Sequence, residues 1–204
     1  MTEPRIKDDQ KVLLTALGGT AFLGLIAYGL SLLFKTPLAP QFHWSLTDTI
    51  IGLVATAPLG VFLLWFMRTN NSHFAKFRQS QIEFFANIGF EFTLPRMMLM
   101  ALFAGIFEEL LFRGVFQTAL ASILPAIAAI LISSIAFGVV HWRTALYALI
   151  AGLIGAWLGI IFWLTDNLLV PMVTHGVYDL YAFMITARAI QEYRATAPVI
   201  PPQD

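Results

Sequence analysis

The chain has 204 residues, 58% of them hydrophobic and 12% charged, with a mean hydropathy of +0.77, roughly half the charge of a water-soluble domain of this size. Basic and acidic residues, 12 of each, cancel to a formal net charge of zero, so no global field draws the protein to nucleic acid. The absence of cysteine excludes structural disulfides, thiolate metal sites and a cysteine nucleophile.

A bilayer span uses about 20 apolar residues, and cutting the chain at charges and turn residues predicts six spans. The first runs from Val12 to Phe34, closed by Lys35-Thr36-Pro37, and the second from Thr49 to Met67, closed by Arg68. The first is too long for a signal-peptide core and lacks a small-x-small exit, so it stays as a helix. Between them and the third span, residues 68–93 place Phe74, Phe77, Phe84, Phe85 and Ile88 near a helical period among Lys76, Arg78, Gln79 and Glu83. That pattern predicts an amphipathic helix in the interface, either a connector or a substrate gate. Asn70-Asn71-Ser72 matches a glycosylation acceptor, which a cytoplasmic loop never uses.

The third span starts after Pro95-Arg96 and ends near Leu120. Ala119 to Val140 forms the fourth, with Pro125 expected in its first turn. Thr144 to Thr165 is the fifth, and Gly155-Ala-Trp-Leu-Gly159, preceded by Gly152, gives it a small-residue face for close packing. Asn167 to Ala187 is the sixth, with Pro171 near its start, and Pro198 to Asp204 reads as a frayed tail. The whole of 1–204 is therefore expected to be a single all-α membrane domain, a polytopic helical bundle.

Arg5, Lys7, Lys11, Arg68, Lys76, Arg78, Arg96, Arg143, Arg188 and Arg194 fall on one side of six spans, with Lys35 opposite. The positive-inside rule then puts both termini in the cytoplasm. Trp44, Trp65, Trp142 and Trp163 lie near predicted helix ends, as interfacial belts require, and Trp157 lies deeper.

An ionisable side chain at bilayer depth costs about 2.5 to 3.5 kcal/mol on insertion scales, yet Glu108, Glu109, Arg113, His175 and Asp179 lie inside spans and His141 at a span's end. Glu109 and Arg113 are i and i+4 and meet on one helix face, as a structural or a catalytic pair, while Glu108 points about 100° away and stays unpaired. His175 and Asp179 share the same spacing, so Asp179 is expected to orient the imidazole. An unpaired carboxylate, an oriented histidine and His141 on three helices make an acid/base set for hydrolysis, with Glu108 activating water beside His141 and His175 donating to an oxyanion. His43 and His73 are loop residues with no assigned role.

Glu108-Glu109-Leu-Leu-Phe-Arg113, Phe137-Gly-Val-Val-His141 and His175-Gly-Val-Tyr-Asp179 match in order and spacing the motifs E-E-x-x-x-R, F-x-x-x-H and H-x-x-x-N/D. The chain thereby resembles the CAAX protease and bacteriocin-processing family, also called the Abi family of intramembrane glutamic endopeptidases, over residues 95–187. The resemblance implies that Glu108 activates the attacking water with help from His141. It gives His175 and the residue at Asp179 to the oxyanion, and Glu109 and Arg113 to support of the site. An ionised Asp179 can only accept where asparagine donates, so orientation of His175 is its expected role.

These readings imply an endopeptidase of a prokaryotic plasma or inner membrane, acting without a cofactor on a membrane-associated peptide or protein. Two rivals carry different expectations. One is a zinc metalloprotease with Glu108, His141 and His175 as ligands; the other is a non-enzymatic membrane protein whose ionisable groups form a proton relay or bind a partner helix. Depth poses a difficulty as well, because Glu108 should lie about 18 Å below Arg96 at 1.5 Å per residue, whereas His141 is two residues from Arg143.

Overall fold

A computed structural model describes residues 3–88 and 90–196, so the expected tail, Pro198 to Asp204, lies outside the described residues. Every regular element among them is helical: α1 (Glu3–Leu33), α2 (Leu46–Arg68), α3 (Ser72–Asn87), α4 (Leu94–Glu109), a π-helical stretch (Leu110–Gln117), α5 (Thr118–Ala121), α6 (Ala126–Val140), α7 (Ala145–Thr165) and α8 (Leu169–Thr196), with one 3₁₀ turn at Ala39–Gln41.

Three helices, over Asp9–Leu33, Leu46–Arg68 and Ala145–Thr165, are long and apolar enough to cross a membrane by length and composition. α6 is apolar but shorter, and the remaining two expected spans, α4 with its continuation and α8, carry the ionisable side chains. Large apolar residues such as Leu14, Phe22, Leu25, Val54 and Leu153 face outward, as expected where lipid replaces water.

Several helix boundaries differ from those expected, each for a local reason. Ser45 accepts from the Asp48 amide at 3.1 Å and starts α2 three residues early. Thr144 caps α7 in the same way through the Tyr147 amide at 3.1 Å. α6 begins at Ala126 rather than Ala119, because Pro125 takes the N-cap position and residues 118–121 close the preceding helix. Beyond Ala187, α8 continues to Thr196, because Arg188, Gln191, Glu192 and Arg194 end the apolar run without ending the helix; Ile190 stays buried and Arg194 donates to the Ala86 carbonyl at 2.9 Å.

The third expected span is not one uniform helix. Immediately after Glu109 the turns widen to i+5 bonding over Leu110–Gln117, and side chains from elsewhere satisfy carbonyls of this stretch. Ser133 of α6 donates to the Phe112 carbonyl at 2.8 Å, Thr118 to that of Arg113 at 2.9 Å, and Gln41 to that of Gly114 at 3.0 Å. Such insertions recur at functional sites, because they re-aim side chains without breaking the rod.

Glycines set how closely the helices approach. A Cβ on Gly105 of α4 would stand 2.9 Å from the Gly176 amide nitrogen and the Met172 carbonyl oxygen of α8. One on Gly138 of α6 would meet the Gly152 Cα of α7 at 3.2 Å. The Gly155 to Gly159 face of α7 receives side chains: Arg113 donates to the Gly155 carbonyl at 2.6 Å and Gln117 to that of Gly159 at 2.9 Å. Trp157, the deep tryptophan, ties α7 to α2 through the Ala55 carbonyl at 2.9 Å.

Candidate active site

The Gly105 and Gly176 contact lies one turn from Glu108 and Glu109 and beside His175, so the close approach of α4 and α8 brings the first and third motifs together. The second motif arrives on α6, whose phenylalanine, Phe137, packs edge-on against His175 with ring centroids 5.9 Å apart. All six residues singled out by the motifs, Glu108, Glu109, Arg113, His141, His175 and Asp179, thus join one network.

Glu109 is fully buried, and one of its oxygens, Oε1, accepts twice. Arg113 Nη1 donates to it at 2.9 Å and His175 Nδ1 at 2.7 Å. The helical pairing of Glu109 with Arg113 is present as expected, and the guanidinium lies 4.8 Å from the Phe137 ring centroid. The bond from His175 to Glu109 crosses between helices and was not legible from spacing. It makes Glu109 the nearer partner of the imidazole, since Asp179 Oδ2 stands 3.5 Å from Nε2.

With Nδ1 donating to Glu109, His175 presents Nε2 toward Asp179, and it donates from that atom only when the ring carries both protons. His141 is fixed in the complementary sense. Its Nδ1 donates to the Phe137 carbonyl at 2.8 Å, so in the neutral ring Nε2 is the bare acceptor. That atom stands 3.6 Å from Glu108 Oε2, a buried oxygen with no hydrogen-bond partner.

The contact joins two residues that the sequence put at different depths: α6 has only 15 residues, about 22 Å of rise, and its C-cap residue His141 meets Glu108. Arg143 then lies beneath α3, its guanidinium 3.7 Å from the Phe84 ring centroid, 5.5 Å from that of Phe85 and 5.7 Å from that of Tyr147.

Glu108, His141, His175 and Asp179 line one cavity of about 400 Å³ whose walls are otherwise largely apolar, including Phe62, Met100, Ile154 and Phe183. Phe77, Ile82 and Phe85 of α3 form part of those walls, so the amphipathic helix covers the site. Asn71 caps that helix, accepting from the His73 amide at 3.0 Å. His43 lies elsewhere, 3.6 Å from Asp48, in a cluster where Asn167 donates to the His43 carbonyl and to Asp48, each at 2.9 Å. Among the described residues, no group of three histidine, aspartate or glutamate side chains is arranged to hold a metal ion.

The sequence reading missed the His175 to Glu109 bond, the glycine contact and the π-helical stretch, and it left α3 open between a connector and a substrate gate. For the glycines a signal existed, since Gly105 stands three residues before Glu108 and Gly176 directly after His175.

Residues 90–181, just under half of the chain, match the family model described as Rce1-like, type II CAAX prenyl endopeptidase Rce1-like. The matched segment contains all three motifs, on which the chain resembles the CAAX protease and bacteriocin-processing family. Together with the long apolar helices, the match supports an integral membrane endopeptidase. Comparisons with curated proteins and with solved structures gave no match.

Proposed function

We propose that the chain, whose residues 90–181 match the Rce1-like type II CAAX prenyl endopeptidase model, is an intramembrane glutamic endopeptidase. It hydrolyses a peptide bond of a membrane-associated peptide or protein with a glutamate-activated water. The observation carrying this reading is the buried, unpartnered Glu108 Oε2 set 3.6 Å from the bare nitrogen of His141.

Two acceptors at that separation need protons between them, and a water supplies both. Held by Glu108 and His141 Nε2, the water attacks the scissile carbonyl carbon and passes one proton to Glu108. The negative charge arriving on the carbonyl oxygen accepts a hydrogen bond from Nε2 of the doubly protonated His175 ring, which Glu109 holds at Nδ1 and Asp179 flanks at 3.5 Å. Glu108 then returns its proton to the leaving nitrogen as the carbon–nitrogen bond breaks. Asp179 acts as a positioning residue, Glu109 and Arg113 anchor the histidine, and no cofactor takes part.

In this reading six spans cross the bilayer, α3 lies in the interface, and both termini are cytoplasmic in a prokaryotic plasma or inner membrane. Its support is a cluster at one end of the bundle. Asp9 lies 3.3 Å from Arg96, Arg143 stacks on Phe84, and Arg194 reaches Ala86.

Comparative peptidomics of membranes carrying wild-type or Glu108→Gln protein tests the reading. Processing is expected to vanish with normal amounts of folded protein, and to survive stringent chelation in the wild type. Unchanged peptides would favour the proton-relay or partner-binding alternative, and loss on chelation restored by zinc would favour a metalloprotease.

A further inference from the structure

Ser133, Phe137 and His141 are i, i+4 and i+8 along α6 and stand one above the other on a single face. The Ser133 hydroxyl, in a residue only 1% exposed, donates to the Phe112 carbonyl of the π-helical stretch at 2.8 Å. One turn on, the Phe137 ring packs edge-on against that of Phe112 with centroids 5.0 Å apart, and at the end of the face His141 meets Glu108 at 3.6 Å. Among the described residues, the bond from Ser133 is the sole hydrogen bond from an α6 side chain to another helix, since Ser134 and His141 bond to carbonyls of α6 itself.

The other buried residues of α6 are apolar, apart from Ser134, whose hydroxyl turns back to the Ile130 carbonyl at 2.6 Å. Apolar contact is non-directional, so sliding α6 along its neighbours changes it little. A hydrogen bond weakens steeply outside a narrow range of distance and angle, and in lipid no water replaces the lost donor. Phe112 and Glu108 belong to one continuous rod, α4 with its π-helical extension, and Ser133 and His141 to another. The axial register of the two rods and the separation of Glu108 from His141 are therefore one variable.

Resting on the endopeptidase reading, we infer that Ser133 is a positioning residue: its bond to the Phe112 carbonyl fixes the axial register of α6, and with it the distance between Glu108 and His141 across which the attacking water is held. Ser133 lies two turns from His141 and does not line the cavity, so it acts through the helix and not on substrate. Ser134, equally a buried serine but bonded within its own helix, is the matched control.

Two readouts on the full-length protein in detergent test this. Nitroxides on Leu102→Cys of α4 and Ile127→Cys of α6, both exposed positions in a cysteine-free chain, report the register directly. Leu102 lies ten residues before Phe112 and Ile127 six before Ser133 on antiparallel rods, so about 24 Å of their separation is axial. In Ser133→Ala the distance is expected to shift by about 1.5 Å, the rise of one residue. Ser134→Ala should leave it in place, and Ser133→Thr, which keeps the hydroxyl, should restore it. On a peptide whose processing Glu108→Gln abolishes, kcat of Ser133→Ala should fall at least about tenfold with KM within about twofold, as when a reacting group is misplaced but binding is kept. Threonine should again recover most of the rate. An unchanged distance in folded Ser133→Ala, equal losses in the two alanine variants, or no recovery with threonine overturns the assignment. The distance is read without substrate, so a wild type that cleaves nothing counts against the endopeptidase reading alone, and the register then decides the role of Ser133.

Discussion

Glu109 of α4 and His175 of α8 share a 2.7 Å hydrogen bond across 66 positions of sequence, and the oxygen that accepts it also holds Arg113 at 2.9 Å. Glu109 is therefore the hinge of the network, closer to the imidazole than Asp179 at 3.5 Å.

Replacing Glu109 by Gln should cost more than replacing Asp179 by Asn. The first change removes the charge between a buried guanidinium and the imidazole, and breaking a buried pair in this way costs about 3 to 5 kcal/mol. Thermal unfolding in detergent should show a large loss for Glu109→Gln with cleavage abolished, and near-native stability with substantial cleavage for Asp179→Asn. His175→Ala should eliminate cleavage. Equal and complete loss in Asp179→Asn and His175→Ala would remove the positioning role from Asp179.

Gly105→Val should silence the enzyme without altering a polar group. Any Cβ there meets backbone atoms of α8 at 2.9 Å, so α4 and α8 must separate and the bond between Glu109 and His175 lengthens. Gly60→Ala is the matched control, since its new Cβ meets only Tyr181 at 3.8 Å. Cleavage assays on the two should differ by more than about tenfold, the consequence of a misplacement near 1 Å. Similar rates would show that the glycine contact does not set the site.

Arg143 fastens α3 over the cavity through Phe84. Cation–π contacts of this kind are worth about 0.5 to 2 kcal/mol, so Arg143→Gln and Phe84→Leu should each loosen the cover by a few-fold to about thirtyfold. Hydrogen exchange should accelerate over residues 72–87 and leave α7 unchanged. Exchange in α3 indistinguishable from wild type would contradict the fastening.

The cysteine-free sequence suits topology mapping by single substitutions. Glu192→Cys is expected to react with an impermeant maleimide only from the cytoplasmic face, and Pro40→Cys only from the opposite one. Both positions are exposed, Glu192 in the last turns of α8 and Pro40 in the 3₁₀ turn. Labelling of both from one face would reject the six-span orientation.

The local pairs were readable from spacing because i and i+4 side chains meet on any helix, whatever surrounds it. Glu109 with Arg113 and His175 with Asp179 follow from that rule alone, and the motif order follows from the residues themselves. Apolar run length likewise marked α1, α2 and α7. It misjudged the start of α6, where Pro125 became the cap, and the end of α8, where a polar surface continues the helix.

What the linear sequence determined was a membrane-embedded, all-helical chain with an expensive set of ionisable groups in a fixed order, because hydropathy and helical periodicity are properties of neighbours in sequence. Only the tertiary structure decided that Glu109 holds His175, that His141 ends at the depth of Glu108, and that α3 roofs the cavity. Those contacts depend on how near two helices can come and how far each extends. Backbone approach at Gly105 and Gly176, and a helix stopping after 15 residues, are relations between distant segments that no local pattern encodes.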